Sequence, residues 1–259
     1  MMNVYLCPSA ESLGAHAALD AAQIIRNAIA RDGSARIILS TGASQFTTLS
    51  ALVKLPDIDW SKVEMFHLDE YMNLPDTHPA SFRKYLKERF VDIVHPGNVH
   101  FVDGTKNCIA SLTAELRSAP IHLGLIGIGQ NAHIAFNDPP ADMDTKEAYL
   151  IVNLDSACRD QQVQEGWFDT IDDVPKQAIS MSVYQIMQCE KIISAVPYKC
   201  KASAIQKTLC CSVTNRIPGT ILKTHPSFAL YVDLDSYGNV DPRAIVLSED
   251  DECQMTIYR

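Results

Sequence analysis

The stretch IHLGLIGIGQNAHIAFNDPP, residues 121–140, decides the reading of this chain. Its first part, with Ile121, Leu123, Leu125 and Ile126, is a short apolar run of the kind that forms a buried strand. Gly127 and Gly129 then allow a sharp turn and a close backbone approach to a ligand. An amide (Asn131), an imidazole (His133) and a carboxylate (Asp138) follow at once. Open α/β sheets build their sites in this way, at the carboxyl ends of strands. HLDEY, residues 67–71, has the same form, an apolar strand ending in paired acids. Two such strand ends in one chain point to one active site.

Outward from this stretch, strand and helix periods alternate along the chain. Strands are expected at Val4–Leu6, Arg36–Leu39, Val63–Leu68, Ile121–Ile126, Tyr149–Leu154, Lys191–Val196 and Phe228–Val232. Helical spacing runs through Leu13, Ala17, Ala21, Ile24 and Ala28 to a stop at Asp32-Gly33. Further helices are expected after Ser44 through Val53, and over Ser81–Phe90, Ile109–Leu116 and Lys199–Leu209. The alternation predicts an α/β fold with a mostly parallel sheet and helices on both faces. No repeat or linker divides residues 1–259, which read as a single domain. The acidic segment SEDDECQMTIYR at the end carries no clear pattern.

Composition narrows the function classes. Of the 259 residues 47% are hydrophobic, enough for a sizeable core, and the net charge of -9 argues against nucleic acid or an anionic membrane as partner. No apolar run approaches the ~20 residues of a membrane span, and the first residues lack the pattern of a signal peptide. The eight cysteines and eight histidines show neither CxxC nor HExxH spacing, so reduced thiols, a cytoplasmic location and the absence of a metal site are expected.

The chemistry sits in three places. Ser40, Thr41, Gly42, Ala43 and Ser44 (STGAS) lie between a strand and a helix. Their hydroxyls and N–H groups suit an anion, although small polar residues serve equally as a helix cap. Asp69 and Glu70 are neighbours on a strand, so only one should reach a given cleft, as a general base. His133, with Asn131 and Asp138 close by, can carry a proton near neutral pH. Lys201, near the start of a late helix, reads equally as an anion partner or as a solvated residue.

Taken in order, STGASQFTTL, HLDEYMNLPDTHPASF, GIGQNAHIAFNDPP, DVPKQAISM and KCKASAIQ resemble the glucosamine-6-phosphate deaminase (isomerase) family, which is related to the 6-phosphogluconolactonases. The resemblance implies a Rossmann-like three-layer sandwich, no cofactor, a sugar phosphate as small-molecule partner, and relatives ranging from monomers to homo-oligomers. It implies that Asp69 moves a proton between C2 and C1 of the sugar and that His133 assists ring opening. Asp138 stands where the family has a glutamate that tunes the histidine. Residues 40–44 and Lys201 match the phosphate site, with Glu70 and Gly129 as further ligand contacts. The chain departs from the family at Asn131-Ala132-His133, where better-studied members have Asp-Gly-His. It departs again at Gly166, near the expected phosphate-binding arginine, for which Arg159 would substitute. The alternatives are a lactone hydrolase using His133 as base, and a catalytically silent sugar-phosphate binder.

Overall fold

Short β-branched and leucine-rich runs, most of them separated by helices, favour parallel pairing. The computed structural model describes residues 2–164, 166–247 and 252–258. Its strands are β1 (Met2–Cys7), β2 (Ala35–Leu39), β3 (Val63–His67), β4 (Asp69–Tyr71), β5 (Asn98–His100), β6 (Leu123–Leu125), β7 (Tyr149–Asn153), β8 (Gln177–Met181), β9 (Ile192–Val196), β10 (Phe228–Asp233) and β11 (Cys253–Ile257). Its α-helices are α1 (Ala10–Asp32), α2 (Phe46–Leu52), α3 (Phe82–Leu86), α4 (Asp92–Val94), α5 (Cys108–Leu116), α6 (Ser156–Gln164), α7 (Val183–Ile186), α8 (Ala202–Cys210) and α9 (Leu234–Tyr237).

Eight strands form one sheet in the order β11-β1-β10-β9-β6-β2-β3-β5, parallel throughout. Alternate residues feed opposite layers. Ile37 and Leu39 pack with Leu13, Ala17, Ala21 and Ile25 of α1 and Leu49 of α2. Ile38 and Phe66 belong to the other core, with Leu112 of α5 and Ile205 and Leu209 of α8. The expected three-layer α/β sandwich is therefore what the chain forms. Helix α1 is fixed at both ends, by the Ser9 hydroxyl accepting from the Ser12 N–H (3.2 Å) and by Gly33 in the left-handed region (φ 80°).

The strands β4, β5, β8 and β11 go beyond the expected elements. The chain leaves the large sheet at Leu68, whose N–H donates to the Leu39 carbonyl (3.3 Å) and whose carbonyl accepts from the Met181 N–H (2.9 Å). It then enters a small antiparallel sheet, β4-β8-β7, which pairs Asp69 with Ser180. The expected strand Val63–Leu68 thus ends in the large sheet at His67, and β4 of the small sheet lies beyond it. The end of the chain supplies β11, an edge strand beside β1, while the acidic residues 248–251 lie outside the described residues.

Candidate active site

A cleft of about 280 Å³ opens over the carboxyl ends of the neighbouring strands β9, β6, β2 and β3. Its walls include residues 40–46 after β2, Leu68 and Asp69 after β3, residues 127–130 and His133 after β6, and Tyr198, Cys200 and Lys201 after β9. This is where an open α/β sheet presents a crevice. Tyr71 of the small sheet, Phe136 from the loop after β6, and Cys158, Gln162 and Trp167 in and after α6 close one side.

The 40–44 loop lines the cleft. Gly42 has φ 100° and ψ 165°, a conformation open in practice to glycine, and a 3-10 turn (Ala43–Gln45) leads on into α2. The Ser40 hydroxyl accepts from the Gly127 N–H (3.1 Å), tying this loop to the glycine turn after β6. Gln45 is buried and its amide donates to the Ala195 carbonyl (3.2 Å), joining the loop to β9. Across the cleft Tyr198 has φ 83° and ψ 145°, a strained backbone for a residue with a side chain. Its N–H donates to Asp233 Oδ2 (2.9 Å), and Lys201 follows, half-buried and on the cleft wall.

The two acids of HLDEY separate as strand alternation requires. Asp69 lines the cleft and is 5% exposed. Burial, and then the neighbouring Glu70 charge, push its carboxyl up to about 8. Glu70 points the other way, and its expected place among the ligand contacts is corrected. Its carboxylate accepts from the N–H groups of Tyr71 (2.9 Å), Phe82 (3.2 Å) and Arg83 (2.9 Å) and from the Ser81 hydroxyl (2.9 Å). Arg83 Nε stands 3.4 Å away, so Glu70 is an anchor for the start of α3 and lies outside the cleft wall.

The turn after β6 places His133 on the cleft wall with Nδ1 2.8 Å from Asp138 Oδ1. The Asn131 amide nitrogen donates to that same oxygen (2.9 Å), and the Asn131 carbonyl accepts from the His133 N–H (3.0 Å). Burial raises the Asp138 carboxyl, but His133 and then Asn131 outweigh it and hold the group below its usual range. Asn131 therefore does not hold the imidazole directly. It orients the carboxylate that does, and it lies outside the cleft wall. Gly129 is required by space, because a Cβ there would stand 2.2 Å from His133 Nε2. Ala132 occupies the left-handed region (φ 68°) with its carbonyl accepting from the Gly219 N–H (2.7 Å).

Arg159 does not substitute in the cleft. It lies outside the wall and donates to the Ile171 carbonyl, while Gly166 is an exposed left-handed residue (φ 79°). Sequence reasoning missed Gln45, Tyr85, Gln162, Trp167 and Tyr198, all on the wall. Their only signal was adjacency to the motifs. Among the described residues Glu64, His100 and Glu115 bring metal-ligand atoms within 4.8 Å of one another. They lie away from the cleft wall, and both Glu64 oxygens are engaged, by His100 Nε2 (2.6 Å) and Arg36 Nε (2.5 Å).

Residues 8–230 match the profile of glucosamine-6-phosphate isomerases/6-phosphogluconolactonase. The chain belongs to this family. A glucosamine-6-phosphate deaminase of Halothermothrix orenii is 33% identical over 204 residues, spanning 76% of this chain and 83% of that protein. Glucosamine-6-phosphate deaminase 2 of Giardia intestinalis is 32% identical over 205 residues, 75% of this chain and 77% of its own. In three dimensions the chain is similar to a monomeric glucosamine-6-phosphate deaminase of the NagB superfamily (TM-score 0.84, 24% identity, 92% and 100% of the two chains). It also resembles 6-phosphogluconolactonase from Trypanosoma brucei (TM-score 0.74, 14% identity, 93% and 99%). At these identities the structural likenesses establish the family fold. No helix among the described residues is long and apolar enough to cross a membrane.

Proposed function

We propose that this chain converts glucosamine 6-phosphate and water to fructose 6-phosphate and ammonia. The carrying observation is the pairing in one cleft of a buried carboxyl, Asp69, with an imidazole backed by a carboxylate, His133–Asp138. A lactone hydrolase has use for the histidine alone, whereas an aldose–ketose step needs a second group to carry a proton between adjacent carbons.

In this reading His133, its Nδ1 side held by Asp138, passes a proton to the ring oxygen as the sugar opens. An ammonium group on C2 brought to Asp69 favours the carboxylate form, which lowers its pKa towards the working range. Asp69 removes the C2 proton and returns it to C1, giving an imine at C2. Water adds to that imine and ammonia leaves, giving the ketose. The 40–44 loop and Lys201 hold the phosphate. All these groups come from one chain, so residues 1–259 form one catalytic unit in this reading. Its place is the cytoplasm, where sugar phosphates are retained.

The test is ammonia and fructose 6-phosphate formation from glucosamine 6-phosphate, with 6-phosphogluconolactone run in parallel. Asp69→Asn should lower kcat by at least about a hundredfold with little change in sugar-phosphate binding. Retained turnover in that variant removes Asp69 from proton transfer, and lactone hydrolysis without ammonia release would replace the proposal by the hydrolase.

A further inference from the structure

Four cations lie on residues 83–89, and three have acidic partners. Arg83 stands 3.4 Å from Glu70, Lys84 3.9 Å from Glu88 and Lys87 2.7 Å from Asp76. Among the described residues no carboxylate lies within 4 Å of Arg89. Its guanidinium carbon sits instead 4.0 Å from the centre of the Phe46 ring and 5.3 Å from that of Tyr85. Both rings line the cleft, are stacked on each other at 5.5 Å, and belong to the surroundings of the 40–44 loop. Phe46 directly follows the Ala43–Gln45 turn, and the Tyr85 hydroxyl donates to the Gly42 carbonyl (3.0 Å).

A cation on an aromatic face is positioned without spending its N–H donors, and guanidinium keeps five of them. The cleft has need of such a group. Lys201 is the sole lysine or arginine among the described residues that form its wall. A phosphate monoester brings close to two negative charges, which one ammonium neutralises incompletely, while a planar guanidinium offers paired donors to two oxygens.

We propose that Arg89 is a second cation for the substrate phosphate, parked on Phe46 and Tyr85 at the rim of the 40–44 loop. The assignment rests on the sugar-phosphate reading above and names a binding residue for it. Arg89 is exposed, so its pull on the phosphate is screened by salt and acts on capture more than on chemistry.

The test is calorimetric binding of inorganic phosphate and of fructose 6-phosphate to the whole chain at low and high salt. Arg89→Ala should weaken both about three- to tenfold at low salt and less at high salt, with Arg89→Lys in between. With turnover, the loss should fall on KM more than on kcat. A merely structural Arg89 would change the melting temperature without a salt-dependent loss of affinity, which overturns the proposal. So does an Arg89→Ala phosphate affinity within about twofold of the parent at low salt, or a parent chain that binds no phosphate. Phosphate binding that depends on Arg89 in a chain releasing no ammonia would remove the reaction and leave this assignment standing.

Discussion

His67 and Asp69 stand two residues apart at the junction of the two sheets, and burial moves them in opposite directions. His67 is fully buried with neither ring nitrogen hydrogen-bonded, and burial, then the Arg83 charge, bring it down to about 3. Asp69 is raised to about 8. A histidine lowered in the folded state loses stability as pH falls below its unfolded value, about 6.5. A carboxyl raised in the folded state loses stability as pH rises from its unfolded value, about 4, to its folded one. The two slopes oppose each other between about 4 and 6.5, and above that Asp69 acts alone, at about 1.4 kcal/mol per pH unit up to about 8. Urea unfolding at stepped pH should show this decline above 6.5 in the parent and its loss in Asp69→Asn; an equal decline in both would place the proton elsewhere. Asn131 carries a second prediction. An acid at 131 faces Asp138 rather than the imidazole, so Asn131→Asp sets two carboxylates against each other. We expect the acid limb of the pH–rate profile to move to higher pH and the rate to fall, and an unaltered profile would contradict the contact. The sequence showed that Asn131 replaces an acid, but its partner depends on how the 127–138 turn folds back. The family glycine replaced by Ala132 left open whether the turn needs φ > 0, and the left-handed φ of 68° shows that it does.

Among the elements, α3 shows what the second acid of HLDEY does. Glu70 accepts from the Phe82 and Arg83 N–H groups and the Ser81 hydroxyl, satisfying the opening turn of a five-residue helix that has little intrinsic stability, and also from the Tyr71 N–H on its own strand. Glu70→Ala leaves these buried donors and Arg83 without their acceptor, and should cost about 3–5 kcal/mol in urea unfolding. Inorganic phosphate should still bind the fraction that remains folded; loss of that binding in folded protein would return Glu70 to the ligand site. Strand alternation alone told that Asp69 and Glu70 could not share a cleft, though not which would enter. The strands β2, β3, β9 and β10 were legible from their apolar runs, whereas β4 has three residues and no pattern to read. β11 is half exposed and follows acidic residues, and α6 carries mostly polar side chains, so neither announces itself.

At the scale of the whole molecule, the alternation of strands and helices was enough to give the three layers and the end of the sheet that carries the site. It could not say that α6 and the turn after it would cover the cleft with Gln162 and Trp167 while Arg159 turns away, since closeness in sequence carries no direction. The same architecture fixes the electrical state of the resting protein. Asp69 is enclosed by both sheets and by the wall of aromatic side chains, and near neutrality its carboxyl holds a hydrogen. A ligand bearing an ammonium group stabilises the ionised form and expels that hydrogen to solvent. Association near pH 7 should therefore acidify an unbuffered solution, and its apparent heat should change with the ionisation enthalpy of the buffer. A phosphate sugar lacking nitrogen should show neither effect, so the protein distinguishes the two ligands by the acid it gives up.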